Sequence, residues 1–212
     1  MARKSALQVV EPNNELREPK KTSNQLKLRL DDLKTFDPLT ENQRKFYEAY
    51  KRQDYFVALH GVAGTGKTYL AMLAAIKALR TGECERIILT RPAVGVDDEK
   101  HGFLPGDLNA KMEPWTRPLF DVLREYYSAR EITHMLEEQI IEIAPLAFCR
   151  GRNFKYSYVI LDEAQNCTND QMEMITSRLG IRSKMVICGD TQQVDLKYKG
   201  ESGFKFLLSA AK

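Results

Sequence analysis

The chain has 212 residues and a formal net charge of +3, with 43% hydrophobic and 29% charged residues, a length and composition that suit one domain with a sizeable core. No apolar run approaches the roughly 18 residues of a membrane span, so we expect no membrane partner. No apolar signal core follows the N-terminus and the four cysteines form no C-x-x-C pair, so we expect a cytoplasmic protein; the mildly basic charge permits a nucleic-acid partner without arguing for one.

The first part of the chain differs from the rest. Residues 1–35 are polar, mixed in charge and weakly periodic, which predicts a mobile N-terminal tail. Within this tail the alternation of Leu26–Leu30 suits a short strand. We predict that residues 36–212 form a single domain, whose first helix begins at a capping box made by Thr40 and Gln43.

The next segment combines a strand, a glycine-rich loop and a helix. Residues 55–60 are a run of strand formers, residues 61–68 read G-V-A-G-T-G-K-T, and residues 67–80 have a helical pattern that is apolar nearly all round. The octapeptide matches G-x-x-x-x-G-K-[ST], in which glycines let backbone N–H groups wrap a nucleoside triphosphate. Lys67 is then expected to contact the β and γ phosphates and Thr68 to hold Mg²⁺. The predicted nucleotide-binding residues are Gly61, Val62, Ala63, Gly64, Thr65, Gly66, Lys67, Thr68 and Tyr69.

Strand and helix patterns alternate through the rest of the chain. Further strands are predicted at 86–91, 140–143, 156–161 and 185–188, the second of them stopped by Pro145. The first helix predicted after the 92–114 segment is amphipathic, with one apolar stripe formed by Leu119, Val122, Leu123, Tyr126 and Tyr127. A short helix is predicted before residue 140, and another is predicted to run from a Thr168–Gln171 capping box to Gly180. The last predicted helix covers residues 202–212.

This alternation sets the expected fold class. We predict an α/β fold with a mostly parallel sheet covered by helices on both faces. Residues 92–114 fit neither element type, and a connection of that length is typical of a functional or disordered loop.

Two acids follow one of the buried strands. The strand over 156–161 runs into Asp162 and Glu163, and ligands bind at the carboxyl ends of strands in such sheets. We expect Asp162 to lie in the Mg²⁺ shell. Glu163, one residue further on, points elsewhere and is the predicted catalytic group that polarises the attacking water.

A third motif, Gly189–Gln193, follows the last predicted strand and reaches the same edge of the sheet. A neutral amide there could donate to the γ-phosphate and accept from water, and we favour Gln193 over Gln192 for this role. The predicted catalytic residues are Lys67, Glu163 and Gln193.

In combination, these motifs resemble the core of superfamily 1 helicases and, more closely, the PhoH-like family of phosphate-starvation-type ATPases. The resembling segments, within roughly residues 38–208, are Gly61–Thr68, Arg91–Val94, Gly102–Asp107, Pro145–Phe148, Arg150–Arg152, Ile160–Asn166 and Gly189–Gln193. The resemblance implies a RecA-like P-loop NTPase domain with ATP as ligand, Mg²⁺ as cofactor and a link to RNA or single-stranded DNA. Some relatives form hexameric rings, which makes a homo-oligomer plausible, and many are carried by bacteriophages.

The resemblance also suggests one further ligand contact. In helicases a glutamine ahead of the phosphate loop recognises adenine, and Leu39–Gln43 is similar to that motif, so Gln43 is the candidate adenine-reading residue. The alternative is a solvated glutamine on the first helix.

For two sets of candidate side chains the sequence leaves more than one interpretation. An arginine that contacts the γ-phosphate could come from this domain or from a neighbouring subunit, and the candidates are Arg150, Arg152 and Arg178. A single-strand binding surface would combine cations with aromatic rings, and the candidates are Arg91, Lys111, Arg117, Arg150, Arg152, Lys155, Phe103, Trp115, Phe148 and Phe154. The alternative for this second set is packed aromatics beside solvated charges.

Two functions remain in view. The first is an ATPase motor or switch that acts on RNA or single-stranded DNA. The second is a nucleotide-gated binding or assembly protein without strand-separating activity. A phosphotransferase would need an acceptor pocket, and the sequence identifies none.

Overall fold

A computed structural model describes residues 38, 40–52, 54–92, 116–196 and 202–210. The predicted tail over 1–35 and nearly all of the 92–114 connection lie outside these described residues. In the ranges given, no helix combines the length and the apolar character that crossing a membrane requires.

Within the described residues, five strands form one sheet in which every pairing is parallel. The strands are β1 (Phe56–His60), β2 (Arg86–Arg91), β3 (Ile141–Pro145), β4 (Ser157–Leu161) and β5 (Lys184–Gly189). Their order across the sheet is β1-β5-β4-β2-β3, so β5 separates the strand before the glycine loop from the strand before the two acids. Among the described strands, β1 and β3 lie at the two edges.

The described residues also form six α-helices and two short 3-10 turns. The helices are α1 (Glu41–Lys51), α2 (Lys67–Thr81), α3 (Arg117–Arg124), α4 (Ala129–Glu137), α5 (Asn169–Thr176) and α6 (Gly203–Ala210), and the 3-10 turns are Leu146–Cys149 and Ala164–Asn166. Capping boxes start three of the helices: Thr40 with Gln43, Ser128 with Glu131, and Thr168 with Gln171. Each box satisfies two backbone N–H groups that the helix itself leaves unpaired.

The strands carry apolar side chains on both faces, so each face has its own core. On β4, Tyr158 and Ile160 pack with α1 to α4, while Val159 and Leu161 pack with α5 and α6. This alternation follows from the two-residue period of a strand. The predicted α/β fold, a parallel sheet with helices on both faces, is confirmed.

The strand predictions agree with the structure to within one or two residues, and β3 ends at Pro145 as expected. That strand includes Pro145, which pairs with Arg91. Because β3 is an edge strand among those described, a residue without an N–H group is tolerated there.

The predicted end of α5 at Gly180 is wrong. The helix ends at Thr176, and Leu179 then forms a parallel bridge with Phe154. Gly180 donates its backbone N–H to the Phe154 carbonyl at 2.7 Å, and a Cβ at this position would collide with Asn153 and Phe154. Close approach of two backbones, and not helix termination, therefore explains the glycine.

Gly203, the first residue of α6, allows a similar close approach. A Cβ there would lie 2.6 Å from the Thr168 carbonyl oxygen and 2.7 Å from the Met172 Cβ. We expect Gly203→Ala to lower the free energy of unfolding by about 1–3 kcal/mol, because the helix must move away from α5. Urea denaturation measures the change, with the exposed Ser209→Ala on the same helix expected to stay within about 0.5 kcal/mol. An equal effect of the two substitutions would contradict this account of the packing.

Candidate nucleotide-binding site

The glycine loop leaves the carboxyl end of β1 and leads directly into α2. Gly64 and Gly66 have φ angles of 75° and 78°, a backbone region that glycine adopts without strain. Gly66 occupies the N-cap of α2, where no side chain accepts a hydrogen bond and no acidic residue lies in the first turn. The first N–H groups of the helix, with their partial positive charge, are therefore left for an anion.

The Lys67 ammonium lies across this loop. Its Nζ donates to the carbonyls of Gly61 and Val62, both at 2.8 Å, and lies 3.5 Å from the Thr65 hydroxyl. The Thr65 hydroxyl in turn donates to the Val62 carbonyl at 2.8 Å. These contacts hold a positive charge in the loop together with its backbone amides, which suits a polyphosphate.

Thr68 connects the loop to the first of the two acids. Its hydroxyl donates to Asp162 Oδ1 at 2.8 Å, although the two residues are 94 positions apart in the chain. Asp162 directly follows β4, and its backbone N–H donates to the Thr90 carbonyl at the end of β2. The predicted metal-binding pair, Thr68 and Asp162, is therefore brought together by the sheet.

The chemistry of this pair fits Mg²⁺. The ion prefers oxygen ligands and is commonly held by one or two carboxylates together with phosphate oxygens and water. A hydroxyl and a carboxylate in contact beside a phosphate loop are such a set. In the described part of the chain, no group of three or more His, Cys, Asp or Glu side chains is placed to hold a metal ion.

Burial raises the pKa of Asp162 above its ordinary value. The Thr68 hydroxyl opposes this shift, since a hydrogen bond to the carboxylate favours the charged form, whereas the nearby negative charge of Glu163 adds to it. The Glu163 backbone N–H and the positive charge of Arg91 also oppose the shift, but burial has the larger effect on the pKa of Asp162.

Glu163 has an unusual backbone conformation. Its φ and ψ angles are 51° and 37°, in the left-handed region, and it precedes the 3-10 turn Ala164–Asn166. A non-glycine residue in this region carries strain, which is often found at functional sites. The two acids have different side-chain partners: the Thr68 hydroxyl donates to Asp162, and the Gln165 amide donates to Glu163.

The third loop follows β5 and therefore lies between the other two. Gln193 donates its backbone N–H to the Asp190 carbonyl at 3.1 Å, and Gln192 donates its own to Asp190 Oδ1 at 2.9 Å. The Gln192 and Gln193 side chains are both exposed. Nothing in these contacts favours one amide over the other, so the choice of Gln193 stays a prediction.

Gln43 and Tyr69 each have a partner outside the phosphate loop. The Gln43 side chain accepts from the Thr40 backbone N–H at 3.3 Å as part of the capping box of α1. The Tyr69 hydroxyl lies 3.5 Å from Glu125 Oε2, just after α3. The nucleotide contact of Tyr69 and the adenine contact of Gln43 both stay predictions.

The candidate cations and rings separate into two groups. Phe154 is 2% exposed, and Arg152 lies over its ring and forms a bidentate ion pair with Glu142. For this pair the alternative of structural packing is correct. Phe148 is 62% exposed, and Arg150 is also exposed, just beyond the carboxyl end of β3. Lys111, Phe103 and Trp115 lie outside the described residues.

The third arginine candidate lies far from the loop of its own chain. The backbone of Arg178 accepts from the Phe154 N–H, next to the amino ends of β4 and β5. A five-residue strand is about 16 Å long, so the Arg178 backbone and the glycine loop lie at opposite ends of the strands.

Sequence reasoning missed two buried amides in the 3-10 turn. Gln165 and Asn166 are 1% and 3% exposed, and their side-chain oxygens accept from the backbone N–H groups of Asp190 and Asp195 at 3.0 and 2.8 Å. They tie the turn after β4 to the loop after β5. The sequence placed both residues in the segment Ile160–Asn166 that resembles the family, but two polar residues between an alanine and a cysteine do not by themselves indicate burial.

The raised pKa of Asp162 gives a pH-dependent expectation. At neutral pH the ionised carboxylate destabilises the folded chain, so Asp162→Asn should raise the melting temperature in EDTA. The gain should shrink as the pH falls, because protonation then removes the same charge from the unsubstituted chain. Thermal unfolding across pH measures this, with the exposed Asp121→Asn as control. A melting temperature lowered by Asp162→Asn at every pH would contradict the expectation.

Comparison with known proteins extends these observations. A family model described as "PhoH-like protein" matches residues 35–212. The PhoH-like protein of Bacillus subtilis (strain 168) is 51% identical over 164 residues, which cover 77% of this chain and 51% of that protein. The PhoH-like protein of Synechocystis sp. is 47% identical over 166 residues, covering 78% and 50%, and Protein PhoH of Escherichia coli (strain K12) is 41% identical over 158 residues, covering 74% and 44%.

The chain thus spans about half the length of the curated relatives that it matches. Among solved structures, similarity is found to the Sulfolobus solfataricus SWI2/SNF2 ATPase core in complex with dsDNA, at 16% identity and a TM-score of 0.45 over 79% of this chain and 36% of that one. Because the family model accounts for most of the sequence, including the glycine loop, both acids and the third loop, this chain belongs to the PhoH-like family.

Proposed function

We propose that this protein binds ATP with Mg²⁺ at the carboxyl edge of its sheet and hydrolyses it, acting on RNA or single-stranded DNA. The observation that carries the proposal is the hydrogen bond between Thr68 and Asp162. Thr68 directly follows Lys67, whose ammonium donates to carbonyls of the phosphate loop. A phosphate loop alone would suit any nucleotide-binding protein. A phosphate loop in contact with a half-buried carboxylate, with a second acid beside it, suits a hydrolase.

Each residue of the proposed site has a specific role. Loop amides from Gly61 to Tyr69 and the Lys67 ammonium would bind the phosphates, and Gln43 would contact adenine. Thr68 and Asp162 would hold Mg²⁺, which when bound neutralises charge on the phosphate oxygens. Arg150, exposed beyond β3, could contact the γ-phosphate of a neighbouring subunit in a homo-oligomer such as a hexamer.

Glu163 and Gln193 would act on the attacking water. In the proposed step the water oxygen bonds to the γ-phosphorus, the bond to the bridging oxygen breaks to leave ADP, and the water proton passes to Glu163. Gln193 would contact the γ-phosphate, so that its hydrogen bond is lost after hydrolysis.

The proposed nucleic-acid partner has support at the same edge of the sheet. Phe148 offers an exposed ring and Arg150 an exposed cation beyond β3, and single-strand binding uses such pairs to stack bases and track phosphates. We place the activity in the cytoplasm, in keeping with four cysteines that are all free and buried. The alternative is a nucleotide-gated binding or assembly protein without strand-separating activity.

The central test is ATP hydrolysis with and without single-stranded RNA and DNA. We expect turnover that a polynucleotide stimulates, and we expect Lys67→Ala to lower kcat about 10²–10³-fold because a charge on the phosphates is removed. The matched control is Lys77→Ala, an exposed lysine near the other end of α2, which should hydrolyse ATP like the unsubstituted protein.

The outcomes separate the candidate functions. Slow turnover that no polynucleotide stimulates supports the nucleotide-gated alternative. Turnover that survives Lys67→Ala unchanged overturns the proposed site.

A second experiment separates binding from hydrolysis. Glu163→Gln keeps the size of the side chain and leaves Lys67, Thr68 and Asp162 in place, so we expect an unchanged Kd for ATP and a kcat lower by about 10²–10⁴-fold. A fluorescent nucleotide measures Kd, and phosphate release measures kcat. Glu173→Gln, an exposed glutamate on α5, serves as control. Full activity of Glu163→Gln would exclude Glu163 as the base.

A further inference from the structure

We propose that Gln165 is a positioning residue for Glu163, whose side-chain amide sets the direction of the Glu163 carboxylate and couples it to the loop Asp190–Gln193. This inference rests on the proposed ATP hydrolysis, and it assigns to Gln165 a role that is exerted through Glu163.

The Gln165 side-chain amide forms hydrogen bonds with both loops of the site. Its Nε2 donates to Glu163 Oε2 at 2.5 Å and to the Gln193 carbonyl at 3.2 Å, while its Oε1 accepts from the Asp190 N–H at 3.0 Å. The side chain is 1% exposed, so water does not compete for these groups. One buried amide thus contacts the proposed base and both ends of the third loop.

These partners leave one orientation of the amide. A carboxylate and a carbonyl accept hydrogen bonds and must face the NH2 group, whereas the Asp190 N–H donates and must face the oxygen. A flipped amide would place donor against donor at Asp190 and acceptor against acceptor at Glu163.

The backbone of Gln165 is also fixed. Its carbonyl accepts from the Ser202 hydroxyl at 2.7 Å, and Ser202 is itself buried. The next residue, Gly203, donates its N–H to the Cys167 carbonyl at 2.8 Å, which attaches the start of α6 to the same turn. These hydrogen bonds hold in place the 3-10 turn that carries the Gln165 side chain.

An amide suits this role because of what Glu163 must do. A donor on Oε2 holds one carboxylate oxygen and leaves Oε1 to receive a proton from water. A non-titrating donor does this at every working pH. Because the same NH2 group also contacts Gln193, a shift of the third loop reaches Glu163 through a single side chain.

The neighbouring residue provides a matched control. Asn166 is buried like Gln165 and also bridges to the region after β5, through the Asp195 N–H at 2.8 Å, but no hydrogen bond joins its side chain to Glu163. Gln165→Glu and Asn166→Asp make the same isosteric change at adjacent buried sites, and each keeps the oxygen that accepts from the backbone.

The test compares steady-state kinetics and pH profiles of the two variants. In Gln165→Glu the donor to Glu163 is replaced by a second carboxylate, so we expect kcat at neutral pH to fall about 10²-fold with the Kd for ATP unchanged. We expect the variant's rate to recover as the pH falls, because two adjacent carboxylates share a proton and the protonated one donates again. Asn166→Asp should keep the kcat and pH profile of the unsubstituted protein.

Each outcome decides the proposal. An unchanged kcat in Gln165→Glu overturns it, and so does an equal loss in Asn166→Asp with the same pH profile, since the effect would then be that of a buried charge. If Gln165→Glu melts below the assay temperature, Gln165→Asn replaces it: this neutral amide is one methylene too short, and the same loss of kcat without acid recovery is expected. If the unsubstituted protein hydrolyses no ATP, the proposed function itself is wrong. The rate of the unsubstituted protein therefore distinguishes this outcome from a failure of the Gln165 proposal alone.

Discussion

The contact between Thr68 and Asp162 is the constraint on which the rest of the site depends. It joins residues 94 positions apart, and it forms only because β1 and β4 run parallel with β5 between them. Parallel strands bring their carboxyl ends to one edge, so three separate loops meet there. A change of strand order or direction would separate the carboxylate from the phosphate loop without altering either motif.

The order of the strands also explains which parts of the site were predictable. The phosphate loop is a contiguous motif whose residues act on one ligand, so its sequence predicts its conformation, including positive φ angles at Gly64 and Gly66. The resemblance to the PhoH-like family and the predicted α/β fold are confirmed for the same reason, since both rest on local patterns. Gln165 could not be found this way, because its partners lie 25 and 28 positions further along the chain.

Edge positions and side-chain burial depend on neighbours that sequence distance does not reveal. Pro145 is paired within β3, which lies at an edge among the described strands, and Gly180 ends no helix because a second backbone approaches it. Phe148 and Phe154 are six residues apart and equally aromatic, yet one is exposed and the other lies in the core. A list of cations and rings near one another in sequence therefore overstates a binding surface.

The position of β1 has a further consequence. Among the described strands it pairs with β5 alone, and its residue Phe56 is 48% exposed. Segments with few buried apolar contacts open locally at a lower free-energy cost than the core, and β1 leads directly into the phosphate loop. A ligand that binds only the closed loop would suppress this opening by mass action. Amide hydrogen exchange along β1 would then report nucleotide occupancy from residues that never touch the nucleotide.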